Sequence, residues 1–162
     1  MATVTVRPTT YKNPSKDGYL NGLGNIGNVL NSSDTSYGST SYTTTFGYTV
    51  FRMIWSASAF NSIPTGSVIN SVTCYIRAGA TKSKMTLANA GYSYKDCSSE
   101  SAWGDGSDTG TKMTEISVSK TWSSTSISAY SFAVPKGNVK NGLTMYFRFN
   151  NDAIASNELR VA

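Results

Sequence analysis

Two glycine-punctuated stretches carry the residue types closest to known chemistry. Gly22-Leu23-Gly24-Asn25-Ile26-Gly27 has the spacing of a dinucleotide-binding loop. That chemistry needs a strand before the glycines and a helix after them, so that the helix N-terminus meets the pyrophosphate. The residues that follow, Asn28-Val29-Leu30-Asn31-Ser32-Ser33, show no helical continuation. The stretch therefore reads as a glycine-rich loop. Asp105-Gly106-Ser107-Asp108-Thr109-Gly110 places oxygen-bearing side chains at alternate positions and a glycine sixth, as a calcium loop does. The bidentate acid of such a loop belongs at position twelve, which here is Ile116. The EF-hand reading fails on that residue. A calcium site at a sandwich edge through Asp105 and Asp108 and a plain Asp-Gly turn both stay open.

The chain contains no histidine. This removes the commonest general base and the commonest metal ligand, and with them zinc chemistry and Ser-His or Cys-His catalysis in their usual forms. Among the nine acidic residues, Glu115, Glu100 and Asp105 are the nearest to a glycosidase pair. None lies within a strongly apolar strand face, where burial would raise its pKa. The expectation is a protein that is not an enzyme and that uses no cofactor and no metal. Cys74 shares an apolar strand face with Val72 and Ile76 and reads as a small buried side chain, while Cys97 sits in a polar loop. Whether the two pair is a matter of geometry that the sequence leaves open, although the lack of a secretion signal favours free thiols.

Aromatic residues in loops or near strand ends offer a different chemistry. Tyr11, Tyr19, Tyr37, Tyr42, Trp103 and Trp122 are of this kind. Sugar-binding sandwiches stack rings against such side chains, and Tyr37, Tyr42, Trp103 and Trp122 are the candidate glycan-binding residues. The competing reading is that several of them cap the core, since aromatics are generally well buried.

These groups have to be carried by strands. In Phe60 to Ala78, an apolar anchor runs through Pro64 and Gly66 into a segment that alternates Val72, Cys74, Ile76 and Ala78 against Thr73, Tyr75 and Arg77. Period two over that length is the signature of a half-buried strand. Pro64 cannot donate to a ladder and Gly66 permits a turn, so the chain corners first. Ala2 to Arg7 alternates in the same way until Pro8. Residues 11–48 read as a long loop rich in Gly, Asn, Ser and Thr, pinned to the sandwich by Leu20, Leu23, Ile26, Val29 and Leu30.

Thr49 to Ala57 predicts a strand with Phe51, Met53, Trp55 and Ala57 inward and Arg52 outward. Further strands are expected over Lys84–Tyr92, Thr114–Lys120 and Ser128–Pro135. Leu143–Phe149 follows, with Thr144, Tyr146 and Arg148 outside, and the last strand begins at Leu159. Residues 95–110 read as a polar loop. About eight short strands with Gly- and Ser-rich connections predict an all-β fold, an antiparallel β-sandwich of jelly-roll type, as a single domain over residues 1–162.

Bulk composition agrees with that class. Charged residues make up only 14% and aromatics 12% of 162 residues, a profile that suits pleated, half-buried faces. The net charge of +5 comes from scattered residues, with Lys82 and Lys84 the nearest thing to a cluster. Nucleic-acid binding would need a basic stripe with interleaved aromatics, so no nucleic-acid partner is expected. No apolar run approaches a membrane helix and no signal peptide opens the sequence. The expected partners thus exclude membrane, and synthesis in a cytoplasm is expected.

Three segments carry a family resemblance. The opening TVTVRPT, the segment IPTGSVINSVTCYIRA and the terminal NELRVA resemble small jelly-roll modules of bacteriophage virion proteins, among them minor head and tail proteins, head fibres and capsid decoration proteins. Carbohydrate-binding modules share the pattern of an Ile-Pro-x-Gly turn followed by an alternating strand. The resemblance implies a structural subunit on a capsid or tail surface, located in the virion, with other virion proteins as partners. A glycan-binding module acting on the host cell surface is the alternative. Both termini read as strands that neighbouring copies would cover, so a homo-oligomer is expected, with a trimer favoured.

Overall fold

The strands form where apolar and polar residues alternate, and their inward sets meet in one core. The structure is a computed structural model that describes residues 2–12, 20–21, 25–31, 37–42, 48–80, 85–93, 114–124, 126–151 and 157–161. Eleven strands lie among the described residues: β1 (Thr10–Lys12), β2 (Leu20–Asn21), β3 (Gly38–Tyr42), β4 (Tyr48–Trp55), β5 (Val72–Ala80), β6 (Met85–Ser93), β7 (Thr114–Ile116), β8 (Lys120–Trp122), β9 (Ser128–Val134), β10 (Leu143–Asn151) and β11 (Asn157–Val161). The protein is all-β, as expected. The count exceeds eight because three strands, β1, β2 and β3, arise in or at the margin of the stretch 11–48 that reads as loop. The strand expected over Thr114–Lys120 also divides into β7 and β8.

One sheet has seven strands in the order β1-β4-β10-β6-β7, with β2 also pairing β4 and β8 also pairing β6. The other has four in the order β3-β11-β5-β9. All pairings are antiparallel except that of β2 with β4. From β3 to β6 the chain changes sheet at every connection. The corner between β4 and β5 is the one that Pro64 and Gly66 announce. The Ser67 amide donates to the Pro64 carbonyl at 3.1 Å, and Gly66 takes φ +84° at the position where a type II turn requires it.

The core is built by the inward faces of both sheets. Phe51, Met53, Met85, Leu87, Met145, Phe147 and Phe149 come from the larger sheet, and Cys74, Ile76, Phe132, Val134, Leu159 and Val161 from the smaller. Phe51 stacks on Phe149 at 6.0 Å and tilts against Phe147 at 5.3 Å. A fully buried side chain of this size contributes about 1.5–3 kcal/mol. Within β6 the inward set shifts from Met85 and Leu87 to Ala90, because the register against β10 breaks between Arg148 and Phe149. A bulge of one residue inverts the alternation beyond it.

Three expectations need correction. Ala2 to Arg7 forms no strand; the edge of β4 is taken by β1, and Val4 is exposed. This segment is held instead by the Trp55 indole, which donates to the Val6 carbonyl at 3.0 Å. The inward and outward positions of β4 and β10 are as expected, but the outward ones are not solvated. Arg52, Thr144 and Tyr146 are buried together with Ile54, and Arg148 is half-buried. They lie side by side, Ile54 opposite Thr144 and Arg52 opposite Tyr146. Lastly, Ala57 is not in β4 but opens a 3-10 turn, Ala57–Phe60, that drops Phe60 into the core.

Candidate functional site

The smaller sheet presents exposed side chains on the outer face of β5 and β9. Along β5, the residues facing away from Cys74 and Ile76 are Thr73, Tyr75 and Arg77. Across the ladder β9 sets Ala133, Ser131 and Ala129 beside them in that order. Thr73, Tyr75, Ala129, Ser131 and Ala133 are exposed and Arg77 is half-buried. Tyr75 is 70% exposed, an unusual state for an aromatic side chain on the middle of a long strand. The site combines one ring face, a guanidinium and small hydroxyl-bearing neighbours on a flat surface. Such a surface can stack on a planar or sugar ring, or lie against another sheet.

Of the four aromatic residues singled out in the sequence, Trp122 is a core residue, 3% exposed on β8. Its ring packs on Phe149 at 5.7 Å and edge-on to Tyr130 at 6.3 Å, and its indole donates to the Ser128 carbonyl at 3.2 Å. Trp122 therefore offers no stacking face to a ligand, and the packing alternative holds for it. The physical reason is that β8 pairs with Met85–Leu87 of β6, which turns the residue inward. Tyr37 is half-buried just before β3, its carbonyl accepting from Asn28 Nδ2 at 3.2 Å. Tyr42 ends the same strand, opposite Asn157. Trp103 lies outside the described residues.

Tyr75 is not among the aromatic residues of loops and strand ends; its outward place follows from the alternation of β5.

The other chemical motifs separate in the same manner. Asn25 takes a left-handed φ of 51° and is followed by a six-residue 3-10 helix, Ile26–Asn31. The absence of any helical continuation after the glycines is thus corrected, yet the turn serves packing, with Val29 and Leu30 against the core. Glu100, Asp105, Asp108 and Cys97 lie outside the described residues, and Glu115 is on β7, paired with Gly91. Among the described residues no group of three or more Cys, Asp or Glu could hold a metal ion. Cys74 is a free thiol inside the core, and burial pushes its pKa up from 9.0 to about 12. A neutral, enclosed thiol of this kind is a packing group and not a nucleophile at physiological pH.

No helix among the described residues is long and apolar enough to cross a membrane. No family model, curated protein or solved structure matches this chain.

Proposed function

We propose that this chain is a non-enzymatic structural protein of a bacteriophage virion, an accessory or decoration subunit on the capsid or tail surface. The strand order carries the reading. From β3 onward the chain lays down β3-β11-β5-β9 facing β4-β10-β6 with β7 and β8. This alternation between the two sheets supports a jelly-roll reading, and jelly rolls recur in viral capsid and lectin domains. The resemblance of its Ile-Pro-x-Gly corner and the strand behind it to virion modules supports the same choice. Such a subunit works by presenting a stiff sandwich with one face free for neighbours, and the outer face of the smaller sheet is suited to that.

Immunogold labelling of density-purified particles, with antibody against this chain, tests the role. Label at a fixed position on capsid or tail is the expected result. Recovery of the chain only in the soluble fraction would contradict it. Exposed Tyr75 beside Thr73 and Ser131 favours a second reading, a glycan-binding module for host adsorption. Specific binding on a glycan array, abolished by Tyr75→Ala, would promote that reading over the first.

A further inference from the structure

We propose that β9 is a self-pairing edge, and that two copies of this chain join antiparallel along it about a two-fold axis at Ser131. Among the described residues β9 is hydrogen-bonded to β5 on one side and paired with nothing on the other. It also differs from the outer strands of the larger sheet, and it is longer than β3, the five-residue outer strand at the other margin of its own sheet. The larger sheet ends in pieces of two or three residues, β1 and β2 at one margin and β7 and β8 at the other. Short pieces are a standard protection against unwanted pairing. β9 runs for seven residues, Ser-Ala-Tyr-Ser-Phe-Ala-Val, with no charge, no proline and no glycine. Nor does its register against β5 break at any position. Among the described residues none of the usual safeguards of an edge is present.

The sequence of the strand says what fits it. About Ser131 it is nearly symmetric: Ala129 corresponds to Ala133 and Tyr130 to Phe132. An antiparallel copy centred there sets Ser131 against Ser131, alanine against alanine and tyrosine against phenylalanine. Aromatic pairs across strands are favourable, and no like charges meet. Lys136, the first charge beyond the strand, would lie opposite Ser126, and Pro135 ends the ladder on each side.

In an antiparallel strand alternate residues direct both their N–H and C=O to the same side. Whichever set points away from β5, a two-fold at residue 131 matches it to itself. The outward side chains, Ala129, Ser131 and Ala133, are small and leave the approach open. Tyr130 points inward, against Trp122 and Phe132, yet stays only half-buried at the open margin. A partner strand would cover it.

The pairing makes one eight-stranded sheet, with the two Tyr75–Ser131 rows continuous across the axis. Such a contact is isologous and closes at two copies, so it favours a dimer in place of the expected trimer. It does not depend on a role in a virion.

Cysteine cross-linking in a Cys97→Ser background tests both contact and register. Residues directly opposite in an antiparallel pair have Cα atoms about 4.5–5.5 Å apart, within the disulfide range of about 4.4–6.8 Å. Ser131→Cys is expected to run mainly as a disulfide-linked dimer after mild oxidation. Ala129→Cys alone should stay monomeric, and Ala129→Cys with Ala133→Cys should cross-link again. Sedimentation of the unmodified chain should show a concentration-dependent dimer, and Ser131→Lys, with its melting temperature at low concentration unchanged, should abolish it. A monomer at every concentration reached would overturn the proposal. So would equal cross-linking of the Ser131→Cys and Ala129→Cys chains.

Discussion

The two sheets share one core and treat their outward faces in opposite ways. On the larger sheet Arg52, Ile54, Thr144 and Tyr146 point away from the core and are nonetheless buried. On the smaller sheet Thr73, Tyr75, Ser131 and Ala133 point away and are exposed. The strands beneath them alternate equally well. Alternation therefore decides which way a side chain points, while burial on the second face depends on what packs there. The edges differ in parallel. The larger sheet is bounded by strands of two or three residues, the smaller by the five of β3 and the seven of β9. The larger sheet thus buries side chains on both faces of β4 and β10, and the smaller leaves the outer face of β5 and β9 open.

The largest effect is expected inside the shared core, which both sheets need. Phe147→Ala should cost about 3–5 kcal/mol in denaturant titrations, because the cavity forms between rings that pack tightly. The comparison itself is broken or kept by two tyrosines. Tyr146→Ala should cost about 3 kcal/mol although its position is outward, since the side chain is only 3% exposed. Equal, small losses for Tyr146→Ala and Tyr75→Ala would show that the larger sheet's outer face is solvated after all.

Gly142 comes next. It holds φ +119° at the entry to β10, and an added Cβ would lie 3.3 Å from the Trp55 carbonyl oxygen. Gly142→Ala should cost about 1–3 kcal/mol, measured by the same titration. A neutral result would mean that the turn relaxes freely.

A smaller, pH-dependent effect marks the core side of β5. The Cys74 thiol ionises near 9.0 when unfolded and near 12 when folded. Above pH 9.0 the unfolded chain releases this proton and the native chain keeps it. Stability therefore falls as pH rises through that window, by up to about 1.4 kcal/mol per pH unit. Cys74→Ala should show a shallower alkaline slope than the parent in paired melts; identical slopes would place Cys74 in contact with water. Least of all, Tyr75→Ala should change stability by no more than about 0.5 kcal/mol, as surface substitutions do.

Much of this fold was legible because period two is a strong signal. The inward sets of β5, β9 and β10, the corner at Pro64 and Gly66, and the burial of Cys74 could all be read from residue order. The bulge in β6 could not, because Met85, Leu87 and Ala90 break phase without a marker residue. Nor could the burial of Arg52 and Tyr146, whose polar atoms mimic a solvated face.

The opening Ala2–Arg7 shows the converse: it alternates well, yet the edge of β4 is taken by the neighbouring β1. The candidate site was half legible. Alternation directs Tyr75 outward, whereas Trp122, near a strand end, turns into the core. The pairing of β9 was hidden because an edge is a property of sheet order, which emerges only when β3, β11, β5 and β9 are assembled.

Amide hydrogen exchange, resolved by residue and followed against protein concentration, tests the division between the two sheets most directly. The β10 amides, paired on both sides by β4 and β6, should exchange only through global unfolding at every concentration. In β9 the alternate amides that face away from β5 should exchange rapidly in dilute protein and slow markedly as the concentration rises. Full and concentration-independent protection along β9 would mean that its edge is already covered within one chain, and would contradict the account.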